Sequence, residues 1–399
     1  MGTDFDPELQ AGYLRECLAQ AKRPIGFFIG AGCPMAVRIN RGGQDEPLIP
    51  DLAGITAQVT NALKSSELEN PFNIVVEHFK TDKRPSPTVE DLLSHIRSLR
   101  VVAGNDSVRG VSGKELAELD DKICFTIAGI ADCRLPNANT PYHKLAAWIG
   151  ATERTTPVEV FTTNYDLLLE EALEANRVPY FDGFIGSFKT FFDLQAMEGD
   201  KLPSRWARLW KIHGSLNWCE DEGRVHRGSS ETKRHLIYPS HLKYDESRRM
   251  PYLAMLDRLR TFLRQSAAVL IVCGFSFSDV HLNEVIAQGL QGNPTSIAFA
   301  FMYGALGKHA RAVELATNRA NLNVLAEDEG VIGTKKSKWT SGKPAPSCAD
   351  TPAVKWIADP ADAKKKNATF LLGNFAALSD FAESLIGERQ RMEIVPDGK

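Results

Sequence analysis

Val158-Glu159-Val160-Phe161-Thr162-Thr163-Asn164-Tyr165-Asp166-Leu167-Leu168-Leu169 is the stretch whose reading decides the fold. The run from Val158 to Phe161 stops abruptly at Thr162-Thr163-Asn164, and Leu167, Leu168, Leu169, Ala172 and Leu173 then resume at helical spacing. That is a strand, a tight polar turn and a helix. Two further runs end in the same abrupt way: Ile25 to Ile29 before Gly30-Ala31-Gly32, and Val269 to Val272 before Gly274-Phe275-Ser276. After Ser278-Asp279, Leu282, Val285, Ile286 and Leu290 form one apolar helical face, with Ser278 and Asp279 as candidate caps. Continuous apolar runs without alternation suit parallel strands covered by helices on both faces. The expected fold is therefore α/β, a Rossmann-like doubly wound parallel sheet. A strand over 296–302, a helix over 308–318 and a strand over 322–326 extend the alternation.

The interval between Ile29 and Val158 far exceeds one crossover, so it predicts a mostly helical inserted subdomain over residues 50–155. Its periodic segments are 52–63, 73–79, 89–101, 116–130 and 142–149, with breaks at Pro85-Ser86-Pro87 and 104–113. The sheet domain then comprises 12–49 and 156–333, closed by an amphipathic helix over 370–388. Residues 334–369, rich in Lys, Ser, Pro and Ala, read as a mobile loop or irregular excursion.

Composition narrows the function classes. Of 399 residues 43% are hydrophobic and 24% charged, which suits a folded globular chain and not a disordered or fibrous one. A net charge of -3 supplies no global positive field, so direct nucleic-acid binding is not expected. Asp4, Asp6 and Glu8 sit near the start without an apolar run, unlike a secretory signal, and no stretch reaches the roughly 18 apolar residues of a membrane helix. The seven cysteines contain no CxxC spacing, so neither a disulfide framework nor a zinc ribbon is expected and a reducing cytoplasm is. His78, His95, His143, His226, His235, His241, His281 and His309 form no HxH or HExxH pattern, and neither a GxSxG elbow nor a GxxxxGK[ST] loop occurs. No metal site is expected.

In open α/β sheets ligands bind outside the carboxyl ends of the strands, where backbone N–H groups and helix N-termini face anions. Gly30-Ala31-Gly32-Cys33 carries the first two glycines of a dinucleotide turn, but Met35 stands where a third would be. Glycines after a strand also serve simply as turns. Gly274, Ser276 and Ser278 form a second candidate phosphate cradle, in which Ser278 and Asp279 equally suit helix capping. Thr163, Asn164, Tyr165 and Asp166 form the most loaded turn, offering an amide and a carboxylate, though Asn164 alone would also serve as a turn former. His213, before Gly214, has an open flank, while an isolated histidine is commonly structural.

Taken in order, Gly30-Ala31-Gly32-Cys33, Thr163-Asn164-Tyr165-Asp166, His213-Gly214-Ser215 and Gly274-Phe275-Ser276-Phe277-Ser278-Asp279 resemble the sirtuin-type NAD-binding fold. The Phe161–Asp166 turn, the Lys211–Trp218 segment and the Phe-Ser-Phe-Ser-Asp turn resemble more closely the divergent bacterial sirtuin-like effectors of antiphage defence. The resemblance covers about residues 20–330. Protein deacylases of this fold carry a four-cysteine zinc module between the histidine strand and the later phosphate-binding turn, whereas here that interval holds only Cys219 and Cys273. Tyr165 stands where deacylases usually have an aliphatic residue, as in the defence effectors.

The resemblance implies cleavage of NAD+ itself, with water as acceptor and no metal. Asn164 would orient the ribose and the attacking water, Asp166 would bind the nicotinamide carboxamide, and His213 would act as base. Gly30, Ala31, Gly32 and Ser276 would hold the pyrophosphate, with Cys33, Thr163, Tyr165, Gly274 and Ser278 completing the binding site. Both Asn164 and His213 are expected at an exposed cleft, so that replacing either abolishes turnover and spares folding. An ungated NAD+ hydrolase would kill its host, so the implied partners are further copies of the chain and a separately encoded regulator. A HerA-like hexameric ATPase suits a free-standing subunit better than an Argonaute. The alternatives are an NAD-dependent protein deacylase and a non-catalytic sensor of an NAD-like nucleotide. Lys335-Lys336 and Lys364-Lys365-Lys366 read as solvated loop, with DNA or an acidic partner as the other possibility.

Overall fold

A computed structural model describes residues 4–82, 86–188, 190–199, 201–221, 224–228, 234–236, 251–342, 352–358 and 366–387. Asp6 accepts from the Glu8 and Leu9 amides and so opens the first helix, α1 (Pro7–Ala19), with Pro7 in its first turn. The buried strand β1 (Ile25–Ile29) follows. Four helices come next: α2 (Leu52–Lys64), α3 (Glu69–Thr81), α4 (Val89–Ala103) and α5 (Gly113–Ala131). Capping boxes, Thr88 with Asp91 and Ser112 with Glu115, fix the starts of α4 and α5.

After α6 (Pro141–Ala151) the chain alternates: β2 (Glu159–Thr162), α7 (Leu168–Ala175), β3 (Tyr180–Phe181), α8 (Leu194–Glu198) and β4 (Ala207–Lys211). The strands β5 (Gly214–Asp221), β6 (Arg224–Arg227) and β7 (Arg234–Leu236) form a small antiparallel sheet. Then come α9 (Tyr252–Arg264), β8 (Val269–Cys273), α10 (Val280–Gly292), β9 (Ile297–Phe301), α11 (Ala310–Thr317) and β10 (Leu322–Leu325). β11 (Glu329–Ile332), β12 (Lys335–Lys338), β13 (Val354–Ala358), β14 (Lys366–Phe370) and α12 (Phe375–Ser384) follow.

The main sheet has the order β12-β11-β10-β9-β8-β1-β2-β4-β3. It is parallel from β10 to β3, and β11 and β12 add an antiparallel edge. Side chains alternate across it, so Phe27 enters the core beneath α1, α6, α7 and α12 while Phe28 enters the core beneath α9, α10 and α11. The expected doubly wound Rossmann-like sheet is thus present. Because the order runs outward from β1 in both directions, the carboxyl ends of β8, β1, β2 and β4 lie side by side at the switch point.

Two features depart from the sequence reading. The expected insertion over 50–155 divides: α2 to α5 share a core of their own, built on Val59, Phe72, Leu92 and Leu116, whereas α6 buries Tyr142, Leu145 and Trp148 in the core of the sheet. In 334–369, read as a mobile or irregular excursion, the described residues contain strands. β12 lies on the sheet edge and β13 pairs with β14 antiparallel, from Val354 opposite Phe370 to Ala358 opposite Lys366. Burial of Val354 and Phe370 anchors that pair, a signal too short to show as periodicity among lysines. Residues 343–351 and 359–365, including Lys364 and Lys365, lie outside the described residues, as does His241. The expected closing helix is α12, preceded by a strand that takes up Phe370. Among the described residues no helix is long and apolar enough to cross a membrane.

Candidate functional site

Gly30 and Gly274 follow neighbouring strands and pack against one another. The Gly30 amide donates to the Cys273 carbonyl at 2.9 Å, the Gly32 amide to the Gly274 carbonyl at 2.9 Å, and the Cys33 amide to the Gly30 carbonyl at 3.0 Å. A Cβ on Gly30 would stand 2.4 Å from the Gly274 oxygen. Gly274 itself has φ +68, and a Cβ there would fall 2.7 Å from the Cys33 nitrogen. Each glycine is therefore demanded by the other turn. The Gly30 and Gly32 amides are already engaged, so these residues shape the cleft and do not aim N–H groups into it. Ala31, Gly32, Ser276 and Ser278 form its exposed rim, where the Ser276 hydroxyl donates to that of Ser278 at 3.0 Å.

Between those two serines Phe277, wholly buried, holds φ +57. A bulky residue in that region costs on the order of 1–3 kcal/mol and persists only where its surroundings over-determine it. Burial of the ring and an Asn283 Nδ2 hydrogen bond to the Phe277 carbonyl at 2.7 Å supply that constraint. Cys33 faces inward: its thiol donates to the Cys273 carbonyl at 3.3 Å, and burial pushes it well above the ordinary thiol value. Its place is packing beneath the turn.

The second turn is tied to the first. The Thr162 hydroxyl donates to the Ile29 carbonyl at 2.7 Å and accepts from the Asn164 amide at 3.0 Å. Asn164 Nδ2 then donates to the Gly30 carbonyl at 3.2 Å, while its Oδ1 is buried without a hydrogen-bond partner. Burial pushes the Tyr142 hydroxyl of α6 well above the ordinary tyrosine value, with the Asn164 side chain acting to lower it, and neither that hydroxyl nor Asn164 Oδ1 meets a partner in hydrogen-bonding geometry. A buried acceptor left unmade is costly, on the order of 1–3 kcal/mol, and calls for an explanation. Tyr165, half-buried, packs against the α2–α5 core and against Leu216 with Ala128 and Ala131 of α5. Thr163 is half-buried beside it.

Beneath this turn lies Lys211, at the end of β4 and 1% exposed. Its ammonium donates to the Tyr165 carbonyl at 3.3 Å, to the Asp166 carbonyl, and to Glu170 Oε1 at 2.9 Å. Asp166 Oδ1 accepts from the Leu168 amide at 3.1 Å, starting α7. Burial raises the Asp166 carboxyl to about 6, against the lowering attraction of Lys211.

His213 leaves β4 just before Gly214, which turns the chain at φ +89 into β5. Its Nε2 lies 3.6 Å from Asp279 Oδ2, and Asp279 Oδ1 caps α10. The structure therefore links all four segments singled out in the sequence: Asn164 to Gly30, Gly32 to Gly274, and the Gly274–Asp279 turn to His213. The expected exposure of the site is not found: Asn164, Asp166 and His213 are 7%, 5% and 8% exposed. Sequence reasoning missed Lys211, a lone cation closing an apolar strand, and the facing of Asp279 toward His213, which no local signal carries. Among the described residues no three His, Cys, Asp or Glu side chains are grouped to hold a metal ion.

Residues 158–324 match the family model of a SIR2-like domain. The match runs from before β2 into β10 and includes Asn164, Asp166, His213 and the Gly274–Asp279 turn, but not the turn after β1. No curated protein matches. Among solved structures, one described as "Structural Basis for the Mechanism and Regulation of Sir2 Enzymes" is similar at 14% identity, over 73% of this chain and 84% of that chain, with a TM-score of 0.32. So distant a likeness carries no argument about the site. A SIR2-like domain points to NAD-related activity, whether deacylation or cleavage of NAD+.

Proposed function

We propose that this chain is an NAD+ hydrolase that releases nicotinamide and leaves ADP-ribose, acting as a gated toxic effector that depletes NAD+ in antiphage defence. The observation that carries the reading is the partnerless Oδ1 of Asn164, a side chain tied through its Nδ2 to the Gly30 carbonyl at the switch point. A ribose hydroxyl or a water is the donor such an acceptor calls for.

Cleaving the bond from the ribose to the nicotinamide nitrogen needs a held ribose, a held water and relief of the developing oxocarbenium charge. Asn164 orients ribose and water, and the buried Asp166 receives the carboxamide of nicotinamide. The water oxygen bonds to the anomeric carbon as the bond to the pyridine nitrogen breaks, and the electron pair leaves with neutral nicotinamide. His213 takes the proton from the water. Ala31, Ser276 and Ser278 contact the pyrophosphate at the rim, and Gly30, Gly32 and Gly274 set its shape.

The near-complete burial of Asn164, Asp166 and His213 supports a gate, because NAD+ reaches them only after the surface above them moves. Tyr165 is the joint between the site and the α2–α5 subdomain, so that subdomain is suited to be the lid, its opening governed by contacts between copies or with a HerA-like ATPase. Mass analysis of NAD+ incubated with the purified protein, alone and with an acyl-lysine peptide, tests the reading. Nicotinamide and ADP-ribose in equal amounts, unaffected by chelator or peptide, are expected. Consumption only when the peptide is present, with transfer of its acyl group, would make the chain a deacylase. Binding of NAD+ without loss would make it a sensor.

A further inference from the structure

We infer that Asp279 is the positioning residue of His213, holding the imidazole in the tautomer that serves as base, in addition to capping α10. The inference rests on reading the cleft as an NAD+-cleaving site. Asp279 Oδ1 accepts from the His281 amide at 3.0 Å and from the Leu282 amide at 3.1 Å. Those two bonds fix the carboxylate plane to the helix end. Its second oxygen, Oδ2, is thereby directed at His213 Nε2, 3.6 Å away, and the two side chains are only 9% and 10% exposed.

Capping does not explain this arrangement. A cap uses one oxygen, and Ser, Thr or Asn would serve as well as Asp. A buried carboxylate oxygen turned to a histidine is a different requirement, since burying a charge without a counterpart is expensive. A carboxylate can only accept, so the imidazole proton facing it belongs on Nε2 and the ring's lone pair on Nδ1. With Nε2 carrying the proton, the imidazolium formed when the ring takes the proton of the water is offset by the Asp279 carboxylate. The separation of 3.6 Å is that of an ion pair, longer than a hydrogen bond, and contacts of this kind tighten when substrate binds.

The mounting is rigid. α10 carries the carboxylate at its N-terminus, and Asn283 on the same helix fastens Phe277 in its strained conformation two residues before Asp279. The distance from rim to histidine is thus set by one helix end.

Asp279→Asn separates the two roles, because the amide oxygen still caps α10 while an NH2 group replaces the charged oxygen facing Nε2. Asp279→Ser retains a cap and removes the reach. The imidazole nitrogen shifts of His213, assigned by their loss in His213→Gln, are read by NMR in the wild-type protein and in both variants. The expected result is Nε2 protonation in the wild type and a changed tautomer in Asp279→Asn. Nicotinamide release from NAD+ should fall by about 10²–10⁴-fold in both variants, with an unchanged melting temperature. An unchanged tautomer would overturn the inference, as would a changed tautomer with turnover within about twofold of the wild type. If the wild type releases no nicotinamide, the NAD+-cleavage reading falls, and the tautomer alone decides whether Asp279 positions His213.

Discussion

Asn164 carries two duties that pull in different directions. Its Nδ2 holds the turn after β1 through the Gly30 carbonyl, and its Oδ1 waits for a donor. Asn164→Ala should therefore lose turnover and also cost about 1 kcal/mol, because the bridging hydrogen bond goes while the Gly30 carbonyl keeps only the Cys33 amide. Denaturant unfolding measures the second effect, and a variant as stable as the wild type would show that the bridge contributes nothing. Asp166 offers a pH-dependent test. Its carboxyl is raised from 3.8 to about 6, chiefly by burial. Below the ordinary value both folded and unfolded chains keep the proton and there is no penalty. Between that value and about 6 the folded chain holds the proton more tightly, so stability falls as pH rises, by no more than about 3 kcal/mol in total. Asp166→Asn should lack this slope, and urea midpoints of the two proteins between pH 4 and 7 should converge toward acid and separate in the variant's favour toward neutrality. Parallel profiles would mean that burial of Asp166 is not felt. Under the proposed role, in which Asp166 receives the carboxamide, the ionised form is the better acceptor, and turnover in the wild type should climb through about pH 6.

At the scale of elements, the strand-turn-helix units were legible because strands buried on both faces need unbroken apolar runs, as in Ile25–Ile29 and Val269–Cys273. Tyr180–Phe181 is too short to announce itself, and Lys335–Lys338 is a polar edge strand whose lysines hide it. α6 read as part of the insertion because it is contiguous with it. Only the packing of Tyr142 and Trp148 assigns it to the sheet. The site shows the same division: Asn164, Asp166 and His213 stood out by residue type, whereas the Asp279–His213 facing depends on how β4 and β8 are placed and leaves no trace along the chain. The turns themselves are rigid because they interlock. Gly30→Ala would push a methyl to 2.4 Å from the Gly274 oxygen and should destabilise by about 1–3 kcal/mol. Gly32→Ala, meeting Gly274 Cα at 3.0 Å, should be the milder change. Thermal melts that rank them in the opposite order would show that the two turns do not interlock as described.

At the scale of the whole molecule, the proposed gate, drawn from the covered site and the Tyr165 joint, would make access of NAD+ depend on assembly. Light scattering is expected to find a homo-oligomer, or a larger complex with an ATPase partner, and the turnover per chain should change with that state. A strictly monomeric protein whose rate is independent of concentration and of any partner would remove the gate from the account. The central claim, that the clustered turns cleave NAD+, is most directly tested by measuring nicotinamide released from NAD+ by the wild type and by Asn164→Ala, each in its assembled form. Equimolar nicotinamide and ADP-ribose from the wild type, with release by a folded Asn164→Ala lower by at least about 10²-fold, is the expected result. Intact NAD+ with the wild type, or equal release by the two proteins, would contradict it.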